Sequence, residues 1–231
     1  MQFIKTFQTS LIATILIVAL GLLSFLSLEP TVGRAISSNF TVSQQITNEI
    51  SFIATTSATT MVGSIAGLTG GYATGTNRTV VNTNNPTGYN MTIAFPTTTS
   101  GRAMQASSTS YIDDYIPVGG APTSTDYNWI DPSSGTASRF GYSVAASTTA
   151  ELSVFFRNNG SVCNTAAGGD VFDKCWARPS TTPVTIVNST SPNSSSTSTI
   201  KFKVAVPSNP NPALPATFYY ATGTLTATVN P

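Results

Sequence analysis

The run Tyr89-Asn90-Met91-Thr92-Ile93-Ala94-Phe95 sets a large apolar side chain at every second position. Side chains alternate faces along a strand but recur every 3.6 residues on a helix, so this run buries a single face only as a β-strand. No stretch beyond residue 35 carries sustained helical periodicity. Short runs rich in Thr, Val, Ile, Phe and Tyr are instead separated by Gly, Pro, Asn and Ser clusters, the pattern of a sandwich or barrel. Phe40–Ile53 predicts a long first strand, with Phe40, Val42, Ile46, Ile50 and Phe52 on one parity and Gln44 and Asn48 as polar exceptions. Further strands are expected over Met61–Leu68, Arg78–Thr83, Tyr89–Phe95, Arg139–Ala146, Glu151–Arg157, Val184–Val187, Thr199–Val206 and Thr217–Val229. In the last, Tyr219, Ala221, Leu225, Ala227 and Val229 share the inward parity.

Asn84-Asn85-Pro86-Thr87-Gly88 is strong turn chemistry and predicts a β-hairpin between its flanking strands. Thr97–Ser138, rich in Ser, Thr and Gly, reads as a long surface excursion, and Asn188–Ser198 (NSTSPNSSSTS) as a linker. The expected fold is therefore all-β: one antiparallel β-sandwich over residues 36–231, immunoglobulin-like or jelly-roll-like, with about nine strands and a hydrophobic signal helix before it.

In the amino-terminal segment Lys5 is the only charge before the apolar run Leu11–Leu28. That run exceeds the usual 7–15 residues of a signal core and approaches the ~20 of a membrane span. Pro30 breaks it, and Gly33-Arg34-Ala35 places small residues where a signal peptidase reads. Two readings follow: residues 1–35 are a cleaved signal peptide, or residues 11–28 remain as a membrane anchor. Both place the rest of the chain outside the cytoplasmic membrane, secreted or at the cell surface. No apolar tail follows the last strand, so no carboxy-terminal anchor is expected. In an exported chain, Cys163 and Cys175 most simply form one disulfide, worth roughly 3 kcal/mol on a chain-entropy estimate.

Without Lys5, Arg34 and Glu29, the ten basic and nine acidic residues become eight of each, so the mature chain is formally neutral. It presents no basic face for nucleic acid and no polybasic membrane patch. Charged residues are 8% of the chain against about 25% in an average globular protein, and Ser, Thr and Asn supply the polarity instead. Histidine is absent. Serine–histidine and cysteine–histidine nucleophiles and His-based zinc sites are thereby excluded.

The segments Val80–Tyr89, Phe140-Gly141-Tyr142-Ser143-Val144 and Tyr220–Thr228, in this order, resemble a loose group of secreted bacterial β-sandwich cell-surface proteins. The terminal strand is also similar to the end of the Trp-x-Leu cell-wall-binding proteins, and extracellular fibre subunits are a related comparison. The resemblance implies a surface β-sandwich. It assigns no binding residue, because Trp129 is followed by Ile130-Asp131 and Trp176 by Ala177-Arg178, neither of them a Trp-x-Leu signature.

The densest chemistry lies in Tyr111-Ile112-Asp113-Asp114-Tyr115 and Asp126-Tyr127-Asn128-Trp129-Ile130-Asp131. Three functional readings stand beside a purely structural loop. Asp113, Asp114, Asp126 and Asp131 could supply carboxylates to calcium; Tyr111, Tyr115 and Trp129 could stack on a glycan; or two carboxylates could form a glycosidase pair. Asn188 and Asn193 open the sequons most accessible to glycosylation. Lys201 and Lys203 read as solvated lysines on an outward strand face, with an isopeptide bond to Glu151 as the alternative. No catalytic residue and no cofactor other than calcium is expected, and no metal is assigned. The sequence thus points to a non-enzymatic structural protein of a filament, surface layer or matrix, partnered by self-association. The alternative is an adhesin binding glycan or cell wall.

Overall fold

The computed structural model describes residues 2–26, 41, 43–55, 58–96, 98–120, 124–171 and 173–231. It divides into two units, Met1–Gln45 and Ile46–Pro231. The expected cleavage site at Gly33–Ala35, and Phe40 and Val42 of the expected first strand, lie outside the described residues.

The first unit holds one helix, α1 (Gln2–Leu26), built from Leu, Ile, Val and Ala without an acidic first turn or a basic last turn. Its described side chains, Gln8–Ser24, are all exposed. Among the described residues no helix is long and apolar enough to cross a membrane.

The second unit is β, with thirteen strands among the described residues rather than about nine. They are β1 (Ile50–Thr55), β2 (Ile65–Ala66), β3 (Gly70–Thr83), β4 (Tyr89–Ala94), β5 (Met104–Gln105), β6 (Tyr111–Asp114) and β7 (Thr125–Asp126). Then come β8 (Arg139–Ala146), β9 (Trp176–Ala177), β10 (Val184–Ser189), β11 (Asn193–Val206), β12 (Tyr220–Ala221) and β13 (Thr224–Val229). A larger, curled sheet runs β1-β3-β11-β8-β6-β5-β12, with β2 beside β3 and the β7–β9 pair joining β8. A smaller sheet runs β10-β4-β13. Every pairing is antiparallel except β6 with β8.

The two sheets share one apolar core. From β4, Tyr89, Met91 and Ile93, with Phe95 beyond its end, are 0, 0, 2 and 3% exposed, as their alternation demands. Phe140, Tyr142 and Val144 of β8 and Ile200 and Val204 of β11 belong to the same cluster. Phe95 meets Phe140 edge-on at 6.1 Å and Tyr142 at 5.6 Å, locking sheet to sheet. Arg139–Ala146 occupies the bounds that its sequence predicts.

Other segments depart from expectation. The Asn-Pro-Thr-Gly turn forms, with Gly88 N–H donating to the Asn85 carbonyl at 2.9 Å. Its flanking strands β3 and β4 lie in different sheets, so it is a corner and not a hairpin. Asn85 explains the corner. Its side chain, 2% exposed, donates to Thr87 Oγ1 (2.9 Å) and to the carbonyls of Gly88 (2.7 Å) and Asn230 (2.8 Å), and accepts from Asn48 (2.8 Å). These bonds tie turn, chain end and incoming segment together, leaving β3 and β4 to diverge.

The first strand is also shorter than Phe40–Ile53. Ladder pairing starts at Ile50, and Ser43–Glu49 lie outside any strand. Glu151–Arg157 is not a strand but two 3-10 turns, Thr149–Glu151 and Val154–Phe156. The Arg157 guanidinium holds them by donating to the carbonyls of Ala150, Leu152 (2.8 Å) and Ala166 (3.0 Å). Asn188–Ser198 is no linker: it contains the end of β10 and the start of β11. Its Ser196 and Asn193 bind the buried carboxylate of Glu151 at 2.5 and 2.8 Å, which gives a hydroxyl-rich strand its inward anchor. Of the segment 97–138, β5 and β6 lie in the larger sheet, and Met104, Ile112 and Tyr115 are buried.

Replacing Asn85 with Ala strands several buried partners at once, and an unsatisfied buried polar group costs about 1–3 kcal/mol. We expect Asn85→Ala to lose about 2–4 kcal/mol and to melt roughly 5–15 °C lower by calorimetry. An unchanged transition would show that water replaces the amide and that the corner does not depend on it.

Candidate binding face and apolar groove

The acidic and aromatic residues singled out in sequence separate into two clusters. The first is built on the β5–β6 ladder. Asp113 forms an ion pair with Arg102, whose guanidinium also lies 5.5 Å from the Tyr111 ring centre. Asp114 Oδ1 accepts the Ala103 N–H at 3.0 Å. Burial pushes the Asp114 carboxyl above the usual carboxylate range, against the opposing pull of that hydrogen bond and of Arg102 and Arg178.

The second cluster covers the outer face of the larger sheet. Tyr115 donates its hydroxyl to Asp126 Oδ2 at 2.5 Å and accepts the Ile130 N–H at 3.3 Å. Asp126 Oδ1 takes the Val118 N–H at 3.1 Å. Burial and the Asp126 carboxylate together raise the Tyr115 hydroxyl far above its ordinary titration range. Trp129 stacks on Tyr115 at 4.4 Å and meets Trp176 edge-on at 5.1 Å. The whole stack presses on β8 at Gly141. A Cβ there would come within 2.8 Å of Tyr115 Cβ and 3.0 Å of the Trp129 ring, so only glycine permits this approach.

Lys201 and Lys203 are not solvated. Lys201 pairs with Asp173 from the disulfide loop, and Lys203 pairs with Asp131 at 3.3 Å. The Lys203 ammonium sits 5.0 Å from the Trp129 ring centre and 5.2 Å from that of Tyr72, a cation–π arrangement. Both lysine side chains are only 16% exposed, their stems covered by this loop layer. Glu151 faces Ser189, Ser196 and Asn193 rather than a lysine, so no isopeptide geometry forms.

The carboxylates proposed for calcium or for a glycosidase pair are thus divided between separate structural duties. Among the described residues, no group of three or more His, Cys, Asp or Glu side chains is arranged to hold a metal ion. Cys163 and Cys175 are bonded, with Cα atoms 5.7 Å apart, as expected. Asn188 is exposed, whereas the Asn193 amide is engaged with Glu151.

The feature that the sequence did not disclose is a groove opening between the two sheets. A cavity of about 510 Å³ is walled by Phe52 of β1, Ile93, Phe95, Ile200, Phe202 and Leu225 of β13. A second, of about 280 Å³, adjoins it at Met61, Met104 and Tyr219 and is lined by Ile65, Val204 and Leu214. Among the described residues, β1 has no strand on its side away from β3, and β13 none on its side away from β4. By contrast β10, the other edge of the smaller sheet, is covered by a Leu152–Val187 bridge and by Ser153 N–H donating to the Ile186 carbonyl at 2.9 Å. Nothing in local periodicity signals an opening of this kind, because it depends on which edges meet.

No protein-family model matches this chain, and no curated protein does.

Asp114 supplies a pH test. Its folded-state pKa lies above the unfolded value, so its contribution is fully favourable below the ordinary carboxylate range and is lost as pH rises through the folded value. Asp114→Asn keeps an acceptor for Ala103 and removes the buried charge. The melting temperature of the variant relative to the native protein should therefore be higher at pH 7 than at pH 3. The opposite slope in paired thermal scans would show that Arg102 and Arg178 outweigh burial.

Proposed function

We propose that this chain is an exported, non-enzymatic structural protein that builds a filament, surface layer or matrix by self-association. The open apolar groove between two unpaired strand edges carries this reading. An unpaired edge beside exposed apolar surface is a template for another chain, and soluble proteins normally cover it. The engaged carboxylates support a structural role for the acidic segments, and the disulfide fits an oxidising compartment outside the cytoplasm. In this reading residues 1–35 direct export and are removed.

A second reading, glycan or wall adhesion, is favoured by Tyr72, 62% exposed, beside Lys203 and Trp129 on the outer face of the larger sheet. The two part in solution. Sedimentation and negative-stain microscopy of secreted protein should reveal concentration-dependent ordered assemblies. A strict monomer that is retained on wall fragments or glycan arrays would favour adhesion instead. Mass spectrometry of the same material should give a mature chain beginning near Ile36 and two hydrogens lighter than the dithiol; a retained Met1–Ala35 segment would assign α1 to anchoring.

A further inference from the structure

We infer that Asn159, in the sequon Asn159-Gly160-Ser161 on the disulfide-bonded loop, is the asparagine of this chain that receives an N-linked glycan. The inference takes export from the reading above as its premise and is independent of self-association.

Glycosyl transfer to asparagine needs Asn-x-Ser or Asn-x-Thr, with x other than proline, free at the surface of an exported chain. In the step, Asn159 Nδ2 bonds to the anomeric carbon of a lipid-linked sugar diphosphate. The bond from that carbon to the diphosphate oxygen breaks, the lipid diphosphate leaves with the electron pair, and the amide gives one proton to a base of the transferase. The acceptor must therefore offer an unengaged amide nitrogen, a hydroxyl two residues on, and empty space around the three residues.

The loop supplies all three. Asn158, 2% exposed, pairs with Cys163 across the turn and with Gly169 behind it, and the bond from Cys163 to Cys175 fixes the base. Residues 159–162 then stand clear of the body, every one of them exposed. Asn159 N–H donates to the Val162 carbonyl at 3.2 Å. Asn159 Oδ1 accepts the N–H groups of Ser161 and Val162 at 3.1 and 3.0 Å, and the Ser161 hydroxyl at 3.1 Å. Three donors on one atom identify it as the amide oxygen. Among the described residues the amide nitrogen has no partner, so it is the atom left to react. Gly160 has φ +94°, and a Cβ there would meet nothing within 4 Å. The middle of the sequon is open on the side a sugar or a transferase approaches.

The other sequons fail on one count or more. Asn77 lies within β3, and its Thr79 is 0% exposed. Asn90 lies within β4, followed by the fully buried Met91. Asn188 is exposed but paired with Asn90 in the ladder, and the next residue, Ser189, is 1% exposed. The Asn193 amide nitrogen is bound to Glu151. Asn39 lies outside the described residues. The flexible composition that favours Asn188 and Asn193 in sequence thus belongs to strands, and the free turn lies elsewhere.

The test is peptide mass spectrometry on protein secreted by its native cells. Trypsin cuts after Arg157 and Lys174, which releases residues 158–174 with this sequon and no other. After reduction, that peptide should carry the mass of a glycan, and fragmentation should place it on Asn159. Asn159→Gln should lose the whole glycan mass from the intact protein. Because that variant also removes the cap of the turn, Ser161→Ala serves as the folding control. It keeps Asn159 and both backbone bonds to its oxygen, and it should lose the same mass with an unchanged melting temperature. Asn188→Gln should leave the mass of the remaining glycan unaltered. An unmodified 158–174 peptide from secreted protein would overturn the inference, and so would a glycan that survives Ser161→Ala. A protein that carries the glycan yet stays monomeric would overturn self-association alone.

Discussion

The long antiparallel ladder between β3 and β11 holds the molecule together. Ser196–Val206 pairs residue by residue with Val81–Gly71, joining segments more than a hundred positions apart in the chain. On one side this ladder carries β1 and β2, and on the other β8, through which β6 and β9 attach. Its inner face supplies the floor of the groove and its outer face carries the lysines that hold the loop layer. Such non-local pairing must meet its loop-closure cost before most contacts form, so β3 and β11 belong to the slow part of folding.

What was legible in the sequence was whatever a strand's own alternation dictates. Tyr89–Phe95 and Arg139–Ala146 declare an inward face by themselves, and two nearby cysteines declare their bond. What was not legible depended on partners distant in the chain. Asn188–Ser198 has a linker's composition, yet Ser196 and Asn193 find a buried carboxylate at Glu151, so hydroxyl side chains do inside what apolar ones do elsewhere. Glu151–Arg157 has a strand's composition, yet a short apolar run fits a strand or a tight helical turn equally well, and Arg157 decides it. The Asn85 turn carried its chemistry openly, but turn chemistry does not say whether two strands enter one sheet or two.

The same division runs through the candidate site. The density of Tyr, Asp and Trp between Tyr111 and Asp131 was visible, and so was its affinity for cations or rings. The cations that occupy it come from Arg102 and from Lys203, which lies 72 positions beyond Asp131. Gly141 was visible only as a residue between two aromatics; its purpose appears once Trp129 and Tyr115 lean on it.

The ion pairs of the outer face have an environmental corollary. With charge scarce and much of it neutralised by close partners, wetting of the exterior falls to serine, threonine and asparagine. Hydration of uncharged groups does not depend on a Debye length, whereas repulsion between net charges collapses as ions are added. Long-range charge therefore contributes little to how this exterior meets water or another molecule, and adding salt has little of it to screen.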